Sequence, residues 1–206
     1  MKYFHVFLLI FVLSSYCFAA ENKYEVEHGE IVYKVNSSML GEGETILKFT
    51  DWGAYSLSVT SFKGGNGNLK IIQTPEFIYT LDDEQKTYIK SDPNEDEDGE
   101  TDISAFDEES LGEPVGTETI AGKKCNIYED SSDGAKIKIW LWKNIPFKTE
   151  IKHPFMNSEN VAVSFSEKKI SKSEFKVPSD YKEKENPADV MMEGFKNMFK
   201  NMEENQ

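Results

Sequence analysis

One acidic run comes closest to a recognisable chemical site. Asn94, Asp96, Asp98 and Gly99 fall at the first, third, fifth and sixth positions of a calcium-binding loop. The twelfth position, which should bring a bidentate glutamate, is Ala105. A cation held here is held weakly, and a solvated acidic loop over residues 91–100 is the commoner meaning of such a run. His28 and His153 are the only histidines past the first twenty residues, and neither has a neighbour at metal-ligand spacing. No GxSxG or HExxH motif occurs, and Cys125 has no histidine near it in sequence. No catalytic residue is assigned, no cofactor is expected, and the chain does not read as an enzyme. Gly64–Asn68 is glycine-rich, but a strand follows it where a phosphate cradle needs a lysine and a helix start. A hairpin turn is the simpler reading.

Composition narrows the partners. Lys2, the apolar run Phe4–Leu13 and the small residues at Ser14–Ala20 have the layout of a secretory signal, too short to span a membrane. Cleavage is expected near Ala19 or Ala20, giving an exported, periplasmic product. Without Lys2 the 23 lysines become 22 against 37 acids, a net of −15, and there is no arginine. Such a surface repels nucleic acid and anionic lipid headgroups. Cys125 is then the only thiol, so no internal disulfide forms, and its place beside Ile127 on one strand face reads as core.

The remaining elements are short strands. Along Lys136–Trp142, Ile137, Ile139 and Leu141 point one way and Lys138, Trp140 and Trp142 the other. Near Trp140 and Trp142 both sides are expected to meet apolar groups. Tyr55, Leu57 and Val59 alternate with Ser56, Ser58 and Thr60, with the apolar set as the core face. In Tyr24–Val35 the apolar parity changes at His28–Gly29, which predicts a residue outside the regular ladder there. Phe175 and Val177 close the strand series. Two stretches change period. Ile103–Leu111 reads as a short helix, and Met191, Phe195, Met198, Phe199 and Met202 form a helical stripe over 187–206. The fold class is mainly β: one curved antiparallel sheet over 21–186, an open or incomplete barrel, with one or two covering helices.

Three strings carry a family resemblance: GTETIAGKKC at 116–125, WLWKNIPFK at 140–148 and SEFKVP at 173–178. With them the chain resembles an uncharacterised family of exported bacterial domains grouped with the LolA/LolB lipoprotein-carrier fold. The resemblance implies an unclosed barrel with helices over its mouth and an apolar cavity for acyl chains. Lipoprotein carriers of this fold use an arginine in ligand release, and this chain has none. The expectation is a monomeric binder or carrier of a lipid, acyl chain or other apolar group. Its expected ligand contacts are Trp140, Trp142 and the Met191–Met202 stripe. The alternative is a non-enzymatic envelope interaction or scaffold module with a filled core and a protein partner.

Overall fold

The computed structural model describes residues 23–65, 68–93, 111–132 and 134–184. Alternating sequence and tight turns generate twelve strands. β1 (Gly29–Ser37), β2 (Gly41–Thr50), β3 (Tyr55–Phe62), β4 (Leu69–Gln73), β5 (Ile78–Asp82) and β6 (Thr87–Ser91) form a meander. A second meander follows: β7 (Gly116–Ile120), β8 (Lys123–Ser132), β9 (Ala135–Trp142), β10 (Ile145–His153) and β11 (Met156–Ser166). Two of its hairpins turn through residue pairs with positive φ, Ala121–Gly122 and Lys143–Asn144, the backbone twist that matches two flanking strands. A short β12 (Lys182–Lys184) ends the described chain.

All twelve strands join one unclosed sheet in the order β12-β6-β5-β4-β3-β2-β1-β11-β10-β9-β8-β7. Every pairing is antiparallel except the parallel docking of β12 on β6. The sheet rolls at its second end, where β7 comes against β11 although three strands separate them in the sheet. Two ladder irregularities favour that bending: Phe147 is an extra residue on β10 against β9, and Val163 is one on β11 against β1.

Three apolar clusters hold the fold. The first closes one end of the sheet around Ile31, Phe49, Trp140, Ile145 and Phe147. Residues 24–27 strap across that end: Tyr24 N–H donates to the Trp52 carbonyl, Glu25 N–H to Lys143, and Trp52 N–H to Glu27. Gly53 is required beneath the strap, since it has φ +90° and a Cβ there would lie 2.8 Å from the Tyr24 ring. The second cluster packs Ile72 and Leu81 under Ile170, Phe175 and Tyr181. The third gathers Tyr128, Ile137, Ile139, Leu141 and Ile151, with Leu111 against it.

The parity change at His28–Gly29 has a different cause from the expected bulge. His28 does lie outside the ladder, but because β1 starts at Gly29 and residues 23–27 form the strap. The irregularity in the β1 ladder falls at Val163 on its partner. Phe175 and Val177 are not in a strand either. Lys172–Phe175 is a 3-10 turn, its first turn fixed by Ser171 Oγ accepting the Ser173 N–H at 3.3 Å, and it presses Phe175 onto β3 and β4. The helix expected over Ile103–Leu111 lies, except for Leu111, outside the described residues, and so does that expected over 187–206.

Candidate functional site

Register decides which side chains share a face, because directly opposed residues in a ladder point the same way. Starting from Tyr128 on β8, opposed residues run Ile139, Thr149, Asn160, Val35, Gly43 and Phe62, across seven strands. A neighbouring row joins Tyr33, Thr45 and Thr60, and the next joins Ile31, Leu47, Ser58 and Ile71. Both ends of this face are apolar and its middle is small and polar. Ser56, Ser58 and Thr60 are only 1%, 4% and 7% exposed. Val35, Phe62 and Ile71 are also buried, yet they belong to none of the three clusters.

Two hydroxyls of this floor answer one another and a third caps a turn. Thr45 and Thr60 Oγ1 lie 2.8 Å apart, and Ser37 Oγ accepts the N–H groups of Met39 and Leu40 at the end of the floor. The Asn160 Oδ1 is buried, and no described group donates to it. A buried amide oxygen without a donor is costly, so it marks the point where a donor on a guest would be welcome.

The tryptophans lie elsewhere. Trp140 is 3% exposed in the first cluster, and its Nε1–H donates to Glu118 Oε2 at 2.7 Å. Trp142, Phe147 and Phe165 make an edge-to-face trio with centroids 5.3–5.7 Å apart. Both faces of β9 are apolar at this level, as its sequence demands. Lysines roof both rings: Lys148 Nζ lies 4.5 Å from the Trp140 centroid and Lys123 Nζ 4.2 Å from that of Trp142. Lys148 is pinned there by Glu150 at 2.7 Å and Glu159 at 3.0 Å. Desolvation pulls its pKa down, but the hydrogen bonds to the two carboxylates outweigh this and leave it raised. Lys148 in turn holds the Glu150 carboxyl below its ordinary value of 4.5. These rings therefore belong to the cluster that also takes in Ile31, Tyr33 and Leu47 from the floor rows. Met191, Phe195, Met198, Phe199 and Met202 lie outside the described residues, as do Asn94, Asp96 and Asp98.

Cys125 is fully buried in the first cluster, and burial pushes its thiol up to about 11. His28 and His153 sit at opposite ends of the sheet, before β1 and at the close of β10. A polar cleft of about 540 Å³ lies at the strapped end, between Asp51 after β2 and Lys169–Lys172, with Lys172 Nζ 2.6 Å from Asp51 Oδ2.

The sequence reading missed the polar floor because it assigned β3 only one core face. The signal was available: Ser56, Ser58 and Thr60 are small and uncharged, whereas a solvent face is usually charged. Tyr55 and Leu57 pack on the second cluster while the hydroxyls are buried on the other side.

Among solved structures, an uncharacterized conserved protein from Thermus thermophilus matches with TM-score 0.54 at 9% identity, covering 79% of this chain and 92% of that one. That likeness is one of fold. MucB in complex with MucA(peri) matches at TM-score 0.44 and 8% identity, over 74% of this chain and 55% of the other. A LolA superfamily protein, NE2245 from Nitrosomonas europaea, matches at 0.38 and 9%, over 76% and 93%. Among curated proteins none matches. Residues 66–152, from the β3–β4 turn almost to the end of β10, match the model of Domain of unknown function (DUF4412). That span takes in two of the three strings that carried the resemblance, so an uncharacterised domain family on an open antiparallel sheet is what this chain is similar to.

Proposed function

We propose that this chain is a non-enzymatic, exported binding protein, and that its rolled sheet carries an acyl chain or similar apolar group along the floor of Ser58, Thr60, Thr45, Asn160 and Thr149. The observation that carries the reading is the floor itself. It is a buried face, seven strands wide, lined at its centre by small hydroxyl and amide side chains. Paired hydroxyls leave little unmet hydrogen bonding for an aliphatic chain to desolvate, while the Asn160 amide oxygen can accept from a hydroxyl or amide on the ligand. Cleavage after the leader would release this module into the periplasm.

The test is binding of an environment-sensitive fatty-acid probe, followed by fluorescence, to the parent chain and to Ser58→Leu. Saturable binding that the larger side chain weakens about tenfold, at the cost of one to two methylenes of space, supports the reading. If neither protein binds the probe while both show unchanged circular dichroism, the reading fails. The scaffold alternative, which the filled first cluster favours, then takes its place.

A further inference from the structure

The polar cleft at the strapped end lies on the face of the sheet opposite the floor. Thr50 is directly opposed to Tyr55 and Lys48 to Leu57, and Tyr55 and Leu57 both pack on the second cluster. One wall of the cleft is Glu27, Thr50 and Asp51, and the other is Lys169 to Lys172, backed by the buried Ile170. Its volume of about 540 Å³ is within the range of small-molecule sites. Asp51 and Trp52 are consecutive non-glycine residues with φ of 56° and 57°, a left-handed backbone that persists where its neighbours enforce it. The strap enforces it, since Trp52 N–H donates to the Glu27 carbonyl and the Trp52 carbonyl accepts from Tyr24 N–H. The wall is rigid.

Its polar atoms are incompletely used. Thr50 stands in the cap position before the 3-10 turn Asp51–Gly53, where a threonine hydroxyl ordinarily accepts an N–H of the turn. It makes no such bond, no described group is bonded to its side chain, and it is 7% exposed. A nearly buried hydroxyl on a cleft wall lacks a partner that a ligand can supply. Glu27 meets His28 Nδ1 at 3.9 Å, too far for a hydrogen bond, and Lys169 has no ion pair among the described residues. Asp51 and Lys172 answer each other at 2.6 Å.

The make-up of the walls sets the ligand class. The carboxylates of Glu27 and Asp51 are matched by the ammonium groups of Lys169 and Lys172, so the lining favours neither a cation nor an anion. It offers acceptors and donors side by side, which suits a neutral molecule that both donates and accepts at several points. Trp52, next in the chain to Asp51, is 37% exposed, and its indole has no ring or cation contact among the described residues. An exposed indole presents an apolar, electron-rich face, which matches the C–H face of a sugar ring. We propose that this cleft binds a neutral saccharide, with Thr50, Glu27 and Lys169 hydrogen-bonding its hydroxyls and Trp52 stacking on one ring. The site lies apart from the acyl-chain floor and does not rest on that reading.

The test titrates the full chain with cellobiose, maltose and chitobiose by calorimetry, with glucuronate and glucosamine as charged controls. At least one neutral disaccharide should bind saturably and shield Trp52 from acrylamide quenching, Trp140 and Trp142 being packed in the first cluster. Thr50→Val and Trp52→Asn should each raise the half-saturating concentration at least about tenfold. Asparagine tolerates left-handed backbone at 52, and valine at 50 forfeits no cap bond, so both variants should keep the parent circular dichroism. Ser58→Leu, on the floor, should leave saccharide binding unchanged. No saturable binding of any of the three, tighter binding of a charged control, an unmoved affinity in either cleft variant, or an equal loss in Ser58→Leu overturns the proposal. The fatty-acid probe reads the floor separately, so the two sites fail or stand independently.

Discussion

Trp140 on β9 donates its indole N–H to Glu118 on β7, reaching across β8 at 2.7 Å. This bond ties the edge strand of the sheet to its most apolar strand. Replacing Glu118 by alanine leaves a largely buried N–H without an acceptor, a loss of about 1–3 kcal/mol. Trp140→Phe removes the donor as well, so the double variant should cost less than the sum of the singles. Denaturant unfolding of the four proteins checks this, and a Glu118→Ala variant within about 0.5 kcal/mol of the parent would show the bond to be idle.

Cys125 should ignore a water-soluble thiol reagent in the folded protein. The thiolate is the reactive form, and a thiol raised to about 11 holds little of it at neutral pH, besides being fully covered. In a Cys17→Ser chain, labelling should await unfolding. Rapid modification in native buffer would mean that the first cluster opens readily.

Acid should weaken the fold through the Lys148 centre. The Glu150 carboxyl sits below its ordinary value of 4.5 chiefly because Lys148 hydrogen-bonds it. A group whose folded pKa is depressed contributes stability that is complete above its unfolded pKa and is lost as pH falls through the folded one. Stability should therefore decline from about pH 4.5 downward, and Lys148→Met should shrink the part of that decline due to Glu150. Thermal melts of both proteins from pH 7 to 3 measure the difference. An unchanged pH dependence in Lys148→Met would dismiss the coupling.

Most of the architecture was legible because it depends on local pattern. The apolar alternation of Ile137, Ile139 and Leu141 and the turn residues Lys143–Asn144 specify strands and hairpins within a few residues of themselves. The site was not legible for the opposite reason. Ser58 and Thr60 become a floor only through register with Leu47 and Thr45 on β2, and Asn160 joins them through β1, which sequence periodicity cannot see. Trp140 and Trp142 pack with the first cluster, and in sequence a two-faced apolar strand looks alike whether it borders a cavity or a plug. Tyr181 was silent as well. Its hydroxyl bond to Asp83 and its place over Ile72 and Leu81 arise only after the chain returns to dock β12 on β6.

The strand order has a consequence for how the molecule assembles. Two meanders, β1–β6 and β7–β11, can each zip by adjacent hairpins, at little loop-closure cost. Among the described strands the β1–β11 ladder is the pairing between them, with Tyr33 Oη donating to the Pro146 carbonyl 113 residues away at the same seam. Residues 92–115 connect β6 to β7, strands near opposite edges of the finished sheet. The seam is thus a docking event between two preformed half-sheets. Its rate should govern folding of the whole, and a nick within 92–115 would turn that rate into a concentration-dependent one.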